Sequence, residues 1–123
     1  MICAWKRLLE TARPSVGKSA LGCACACKAA WKGVAVAVFS FEMSHGQVLE
    51  RLASAICGVP FMQITHRRLS EYEGTQVQRA LERLGKMPLC ISDRMDCTPQ
   101  AVMAQAKSLQ AKFPNLGLVV IDY

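Results

Sequence analysis

The stretch Ala12-Arg13-Pro14-Ser15-Val16-Gly17-Lys18-Ser19 decides how the rest of the chain is read. Its Gly-Lys-Ser ending is that of a phosphate-binding loop running into the first turn of a helix. In such a loop successive backbone N–H groups curl around the β-phosphate, and the helix N-terminus adds partial positive charge. Gly17 lets the backbone approach the phosphate closely, Lys18 reaches the β/γ oxygens, and the Ser19 hydroxyl can ligate Mg²⁺. The eight-residue pattern normally opens on glycine, and here Ala12 stands in that place. The loop is therefore judged by its surroundings: a strand before it, a helix after it, and acids at neighbouring strand ends.

Before the loop, Trp5-Lys6-Arg7-Leu8-Leu9-Glu10-Thr11 carries charge at both ends and two adjacent leucines. A short strand is the expectation there, although the segment lacks the buried β-branched run that normally feeds such a loop. After the loop, Lys18 to Lys32 is rich in alanine, cysteine and leucine and is expected to be helical, with Gly33 closing it in a left-handed conformation. Val34-Ala35-Val36-Ala37-Val38-Phe39 is a continuous apolar run, the mark of a parallel strand covered on both faces.

Beyond this strand come Ser40-Phe41-Glu42-Met43, then Ser44 with Gln47 in capping-box spacing. Val48, Leu49, Leu52 and Ile56 follow at helical intervals until Gly58 and Pro60 stop the helix. Gln63 to Leu69 reads as a basic, irregular linker. Ser70 with Glu73 repeats the capping box, Val77, Leu81 and Leu84 form the buried stripe, and Gly85 is expected to end that helix. Pro88 to Asp93 reads as a short strand with proline at its first position. Thr98 and Pro99 open a helix whose face carries Val102, Ala106, Leu109 and Phe113. Leu116 to Tyr123 reads as a further buried strand, with the acid Asp122 at its end. The order (β)αβααβαβ implies α/β architecture, a parallel sheet with right-handed crossovers and flanking helices.

The chain has 123 residues, room for one domain, and its apolar fraction of 52% argues against disorder. No apolar run is long enough to cross a membrane, and the N-terminal residues do not form a secretory signal. A cytoplasmic protein with no membrane partner is expected. Seven cysteines are present, an odd count with no C-x-x-C pair. Cys23, Cys25 and Cys27 are read as small hydrophobes packed under the sheet in a reducing compartment. The net charge of +6 is compatible with nucleic-acid binding and equally with an ordinary solvated basic surface.

Parallel α/β sheets bind ligands at the carboxyl ends of their strands, where the loop, Glu42 and Asp122 all fall. Phosphoryl transfer needs a lysine for the phosphates, an acid toward the metal and a group that orients or deprotonates water. Lys18 and Ser19 meet the first need, Asp122 suits the metal role, and Glu42 suits that of general base. Taken singly, Asp122 could be a turn or cap residue and Glu42 could simply precede a cap. Their joint occurrence with the loop, in this chain order, favours the chemical reading.

The loop Ala12 to Ser19, then Phe39-Ser40-Phe41-Glu42-Met43-Ser44, then Val120-Ile121-Asp122-Tyr123, resembles the C-terminal motor domain of DnaB-type replicative helicases. An A-R-P-S-x-G-K-[ST] loop led by alanine is common in that family, and the F-S-x-E-M segment is the more discriminating feature. Pro88 to Asp93 followed by Thr98-Pro99 is similar as well. The resemblance implies a RecA-like P-loop NTPase fold and ATP hydrolysis with Mg²⁺, coupled in the full-length family to 5′–3′ unwinding. It also implies a homohexameric ring on single-stranded DNA. By position, it assigns Ala12, Arg13, Pro14, Ser15, Val16, Gly17, Lys18 and Ser19 to the nucleotide, with Lys18 on the β/γ phosphates. It assigns Ser19 and Asp122 to the metal and Glu42 to the role of catalytic base.

Residues 1–11 are expected to be a divergent leader or degraded first strand, and residues 12–123 a partial RecA-like ATPase domain. The family's DNA-binding loops and arginine finger lie beyond the aspartate that Asp122 matches. A fragment, with a strand missing beside the loop strand and reduced stability, is therefore expected. Two other readings stand beside the helicase motor: an ATP–Mg²⁺-binding fragment without helicase activity, and a non-functional gene remnant.

Overall fold

The structure, a computed structural model, describes residues 18–93 and 98–122, without the side chains of Lys18 and Ser19. The loop from Ala12 to Gly17 and the strand expected within residues 1–11 lie outside the described residues. So does the place of that strand in the sheet.

The first described element, α1, is a helix over Lys18–Trp31. Gly33 follows at φ 83°, the left-handed position expected for it, where a Cβ would be strained. The chain then enters β1, Ala35–Ser40, every residue of which is buried. Helix α2, His45–Cys57, begins with both halves of the Ser44–Gln47 capping box in place and ends at Gly58, φ 77°. Helix α4, Glu71–Gly85, is opened in the same way by Ser70 and Glu73. Strand β2 covers Leu89–Ser92. Helix α5, Pro99–Lys112, has Thr98 as its N-cap, accepting from the Ala101 N–H, and Pro99 in its first turn. Strand β3 covers Leu116–Asp122.

Some expectations need correction. The stretch read as an irregular linker contains a short helix, α3, over Phe61–Thr65, because Ile64 is drawn into an apolar cluster with Val59 and Val77. Helix α4 does end at Gly85, as expected, with Lys86 capping it through its N–H on the Arg83 and Leu84 carbonyls. Phe113 caps α5 and is 42% exposed, so the buried face of that helix rests on Val102 and Ala106. Cys25 is exposed, whereas Cys23 and Cys27 are buried. Residues four apart share a helix face, and the one midway between them does not.

The strands form one three-stranded sheet in the order β2-β1-β3, with both pairings parallel. Val36, Val38, Leu118 and Val120 face a core built with α1, α2 and α4. On the other side, Ala35, Ala37, Phe39, Leu116 and Val119 pack with Val102 and Leu109 of α5. A parallel strand between helical layers has to be apolar on both sides, which is why β1 shows no polar alternation. In β3 the register slips between Ala35 and Val36, so Leu116 stands opposite Ala35 and Leu118 opposite Val36. Gly117 is the extra residue. A Cβ there would come within 2.7 Å of Val34 Cγ1, closer than side chains approach.

Burial raises the Cys27 thiol from the ordinary 9.0 to about 11, and burial is also the largest cause of the same rise at Cys23. Cys27 and Asp122 raise Cys23 further, while Arg51 opposes the shift. Both thiols are thus held protonated in the folded chain. Their contribution to stability is complete below pH 9 and is lost as pH rises through 11, because the unfolded chain releases these protons first. Urea midpoints measured across that window are expected to fall. In a Cys23→Ala/Cys27→Ala chain the fall should be shallower, and an equal fall would assign it to other groups.

Candidate active site

Helix α1 has 14 residues and is about 21 Å long, matching the roughly 20 Å of a strand of six residues such as β1. Its C-terminus leads into the start of β1, so its first turn, containing Lys18 and Ser19, lies at the carboxyl edge of the sheet. The same placement follows from its packing. Gly22 lies against Val120, where an added Cβ would come within 3.3 Å of the valine Cγ1. Lys18 and Ser19 precede that contact by one helical turn.

Asp122 ends β3 on the side that Leu118 and Val120 share, facing α1, and is 9% exposed. Its carboxylate is close enough to Cys23 of α1 to help raise that thiol. Across the ladder Asp122 pairs with Ser40, and the Phe41 N–H donates to the Asp122 carbonyl at 2.9 Å. Ser40 is 1% exposed, and its Oγ accepts from the Met43 N–H at 3.1 Å. Glu42 is therefore carried in a short turn between Ser40 and the cap Ser44, with its side chain exposed.

The helix after this turn is held by an arginine. Arg51 Nε lies 3.4 Å from Met43 Sδ, and the guanidinium covers the Phe61 ring at 4.3 Å from its centroid. Met43 is thereby tied to α2, and α2 to α3. On the far side of β1, Asp93 follows β2, and its Oδ2 accepts from the His45 N–H at 2.9 Å.

Of the residues singled out from the sequence, Glu42 and Asp122 thus meet at one edge, the edge where α1 begins. Ala12 to Gly17 and the side chains of Lys18 and Ser19 lie outside the described residues. Three residues escaped sequence reasoning: Ser40, Arg51 and Asp93. Ser40 carried a signal, being the polar residue that closes an apolar run. Asp93 carried another, being an acid just past a strand, as Glu42 is. Arg51 carried none.

Among the described residues no group of His, Cys, Asp and Glu could hold a metal by itself.

A family model for the DnaB-like helicase C-terminal domain matches residues 7–123. The chain belongs to this family. Among curated relatives, the replicative DNA helicase DnaB of Nostoc sp. is 36% identical over 118 residues, covering 94% of this chain and 13% of that protein. The probable replicative DNA helicase of Trieres chinensis is 31% identical over 117 residues, with 94% and 26% covered. The chain therefore spans a minor part of the length of the DnaB relatives it matches. A solved structure of a DnaB-like replicative helicase, described with its interactions with primase, superposes with a TM-score of 0.79 at 21% identity. It covers 90% of this chain and 28% of that one. An ATPase domain superposes with a TM-score of 0.78, also at 21% identity, with 90% and 40% covered. The fold of the DnaB-like chain is accordingly RecA-like, with a parallel sheet and flanking helices. No helix among the described residues is long and apolar enough to cross a membrane.

Proposed function

We propose that this chain is the nucleotide-binding part of a DnaB-like helicase motor, taking ATP with Mg²⁺ at the carboxyl edge of its sheet. The observation that carries the reading is the buried Asp122, paired with Ser40 and adjoining the Glu42 turn, at the edge where α1 begins. An acid at the carboxyl end of a parallel strand, beside the start of a helix, lies where such sheets take their ligands and suits an ion shared with water and substrate phosphates.

In this reading Ala12 to Ser19 cradle the triphosphate, and Lys18 contacts the β/γ oxygens. Ser19 and Asp122 hold the metal, the latter through its water shell. Mg²⁺, when bound, neutralises charge on the phosphate oxygens and favours attack at the terminal phosphorus. Glu42, exposed beyond the strand end, accepts a proton on its carboxylate from the attacking water. Within a whole helicase this turnover would drive 5′–3′ unwinding by a homohexameric ring on single-stranded DNA.

Thermal unfolding of the chain with and without MgATP tests the reading, with Lys18→Ala as control. A ligand binding only the folded chain stabilises it by about 2.7 kcal/mol at a hundred times its Kd. The wild-type midpoint is expected to rise with MgATP and that of Lys18→Ala to stay nearly constant. Equal behaviour of the two chains would remove the nucleotide reading.

A further inference from the structure

We propose that Asp93 is a positioning residue that sets where Glu42 stands relative to the sheet. This rests on the reading of Glu42 as the general base. The turn from Ser40 to His45 is fixed through a series of its backbone N–H groups. Two of these bonds are local: Met43 donates to Ser40 Oγ at 3.1 Å, and Ser44 to Gln47 Oε1 at 3.0 Å. They shape the turn but cannot say where it sits. Two others reach neighbouring strands: Phe41 donates to the Asp122 carbonyl at 2.9 Å, and His45 to Asp93 Oδ2 at 2.9 Å. The turn is thus moored on the β3 side by one end and on the β2 side by the other, with Glu42 between the moorings.

The two moorings differ in kind. The bond to β3 is backbone to backbone and survives substitution. The bond to β2 depends on a single carboxylate, contributed from 48 residues away. As a charged acceptor at the first turn of α2, it is stronger than a neutral one and is favoured by the helix dipole. Losing it frees the His45 end of the turn while leaving the loop, Asp122 and the sheet unchanged. General-base catalysis is sensitive to this, because a displacement near 1 Å at the reacting group can cost on the order of a hundredfold in rate.

The experiment compares wild type, Asp93→Ala, Asp93→Asn and Glu42→Gln for MgATP affinity and for single-turnover hydrolysis with the chain in excess. Amide exchange is followed by NMR in the same chains. Asp93→Ala is expected to keep wild-type MgATP affinity, to hydrolyse about 10- to 100-fold more slowly, and to show faster exchange at His45. Asp93→Asn retains an acceptor oxygen and should recover most of both losses. A role in general stability would instead weaken affinity and accelerate exchange across β1 as well. Unchanged His45 exchange in Asp93→Ala overturns the mooring whatever happens to hydrolysis. If Glu42→Gln stops hydrolysis while Asp93→Ala does not slow it, the positioning role fails and the base survives. If Glu42→Gln hydrolyses like wild type, the base assignment fails and the positioning role falls with it.

Discussion

Replacing Glu42 by glutamine is expected to leave MgATP affinity within about twofold of wild type and to lower single-turnover hydrolysis by roughly a thousandfold. Glutamine keeps the size and hydrogen-bonding reach of glutamate but cannot take up the proton of an attacking water. General-base catalysis contributes between about a hundredfold and ten-thousandfold to rate, which sets the scale of the loss. Affinity is spared because the proposed phosphate contacts come from Ala12 to Ser19 and the proposed metal contact from Asp122. Glu42 is exposed in its turn and belongs to none of the three apolar clusters. The fold should therefore tolerate the change, and phosphate release measured beside nucleotide binding separates the two effects. A variant that hydrolyses at the wild-type rate would reduce Glu42 to a residue on the approach to a helix cap.

The second large effect is on stability. Leu52 of α2 is fully buried, in the cluster that joins α1, α2, α4 and the inner face of β1. Beside it the Cys27 thiol points to the Leu52 carbonyl, with Sγ 3.7 Å away. Leu52→Ala removes the side chain that these layers share and leaves a cavity between elements that cannot all close in. Such truncations cost about 2–5 kcal/mol. Chemical denaturation of the variant should show a loss in the upper half of that range, with an unchanged dependence on denaturant. A loss below about 1 kcal/mol would mean that the helical layer repacks freely.

Local chemistry was legible in the sequence wherever it acts over a few residues. The capping boxes at Ser44 and Ser70, the Thr98-Pro99 helix start, the left-handed Gly33 and the helix stop at Gly58 each depend on a spacing that can be counted. The strands were legible because Val34 to Phe39 and Leu116 to Ile121 are continuous apolar runs, although β3 is less buried than such a run suggests, with Leu118 to Val120 partly buried and Ile121 40% exposed. Helix α3 was not, since its five residues gain their order from Val59 and Val77, and a basic stretch follows directly. Cys25 was misassigned by treating three alternating cysteines as equivalent when a helix exposes the middle one. In the site, Glu42 and Asp122 could be named because acids after apolar strands are conspicuous. The bond from His45 to Asp93 could not, because it closes across 48 residues and requires the strand order β2-β1-β3 to be known.

The slipped register at Gly117 has a further consequence, one of parity. Side chains along a strand alternate between the two faces, so the face reached by any residue depends on whether an odd or even number of steps precedes it. Leu116 belongs to the α5 side, and by plain alternation Leu118, Val120 and Asp122 would follow it there. The extra residue changes the count by one and turns the remainder of β3 over, bringing Asp122 opposite Ser40 and beneath α1. A single glycine, without a side chain and far from the acid, thus acts as the switch that delivers a negative charge to the face where α1, the helix proposed to receive the phosphates, begins.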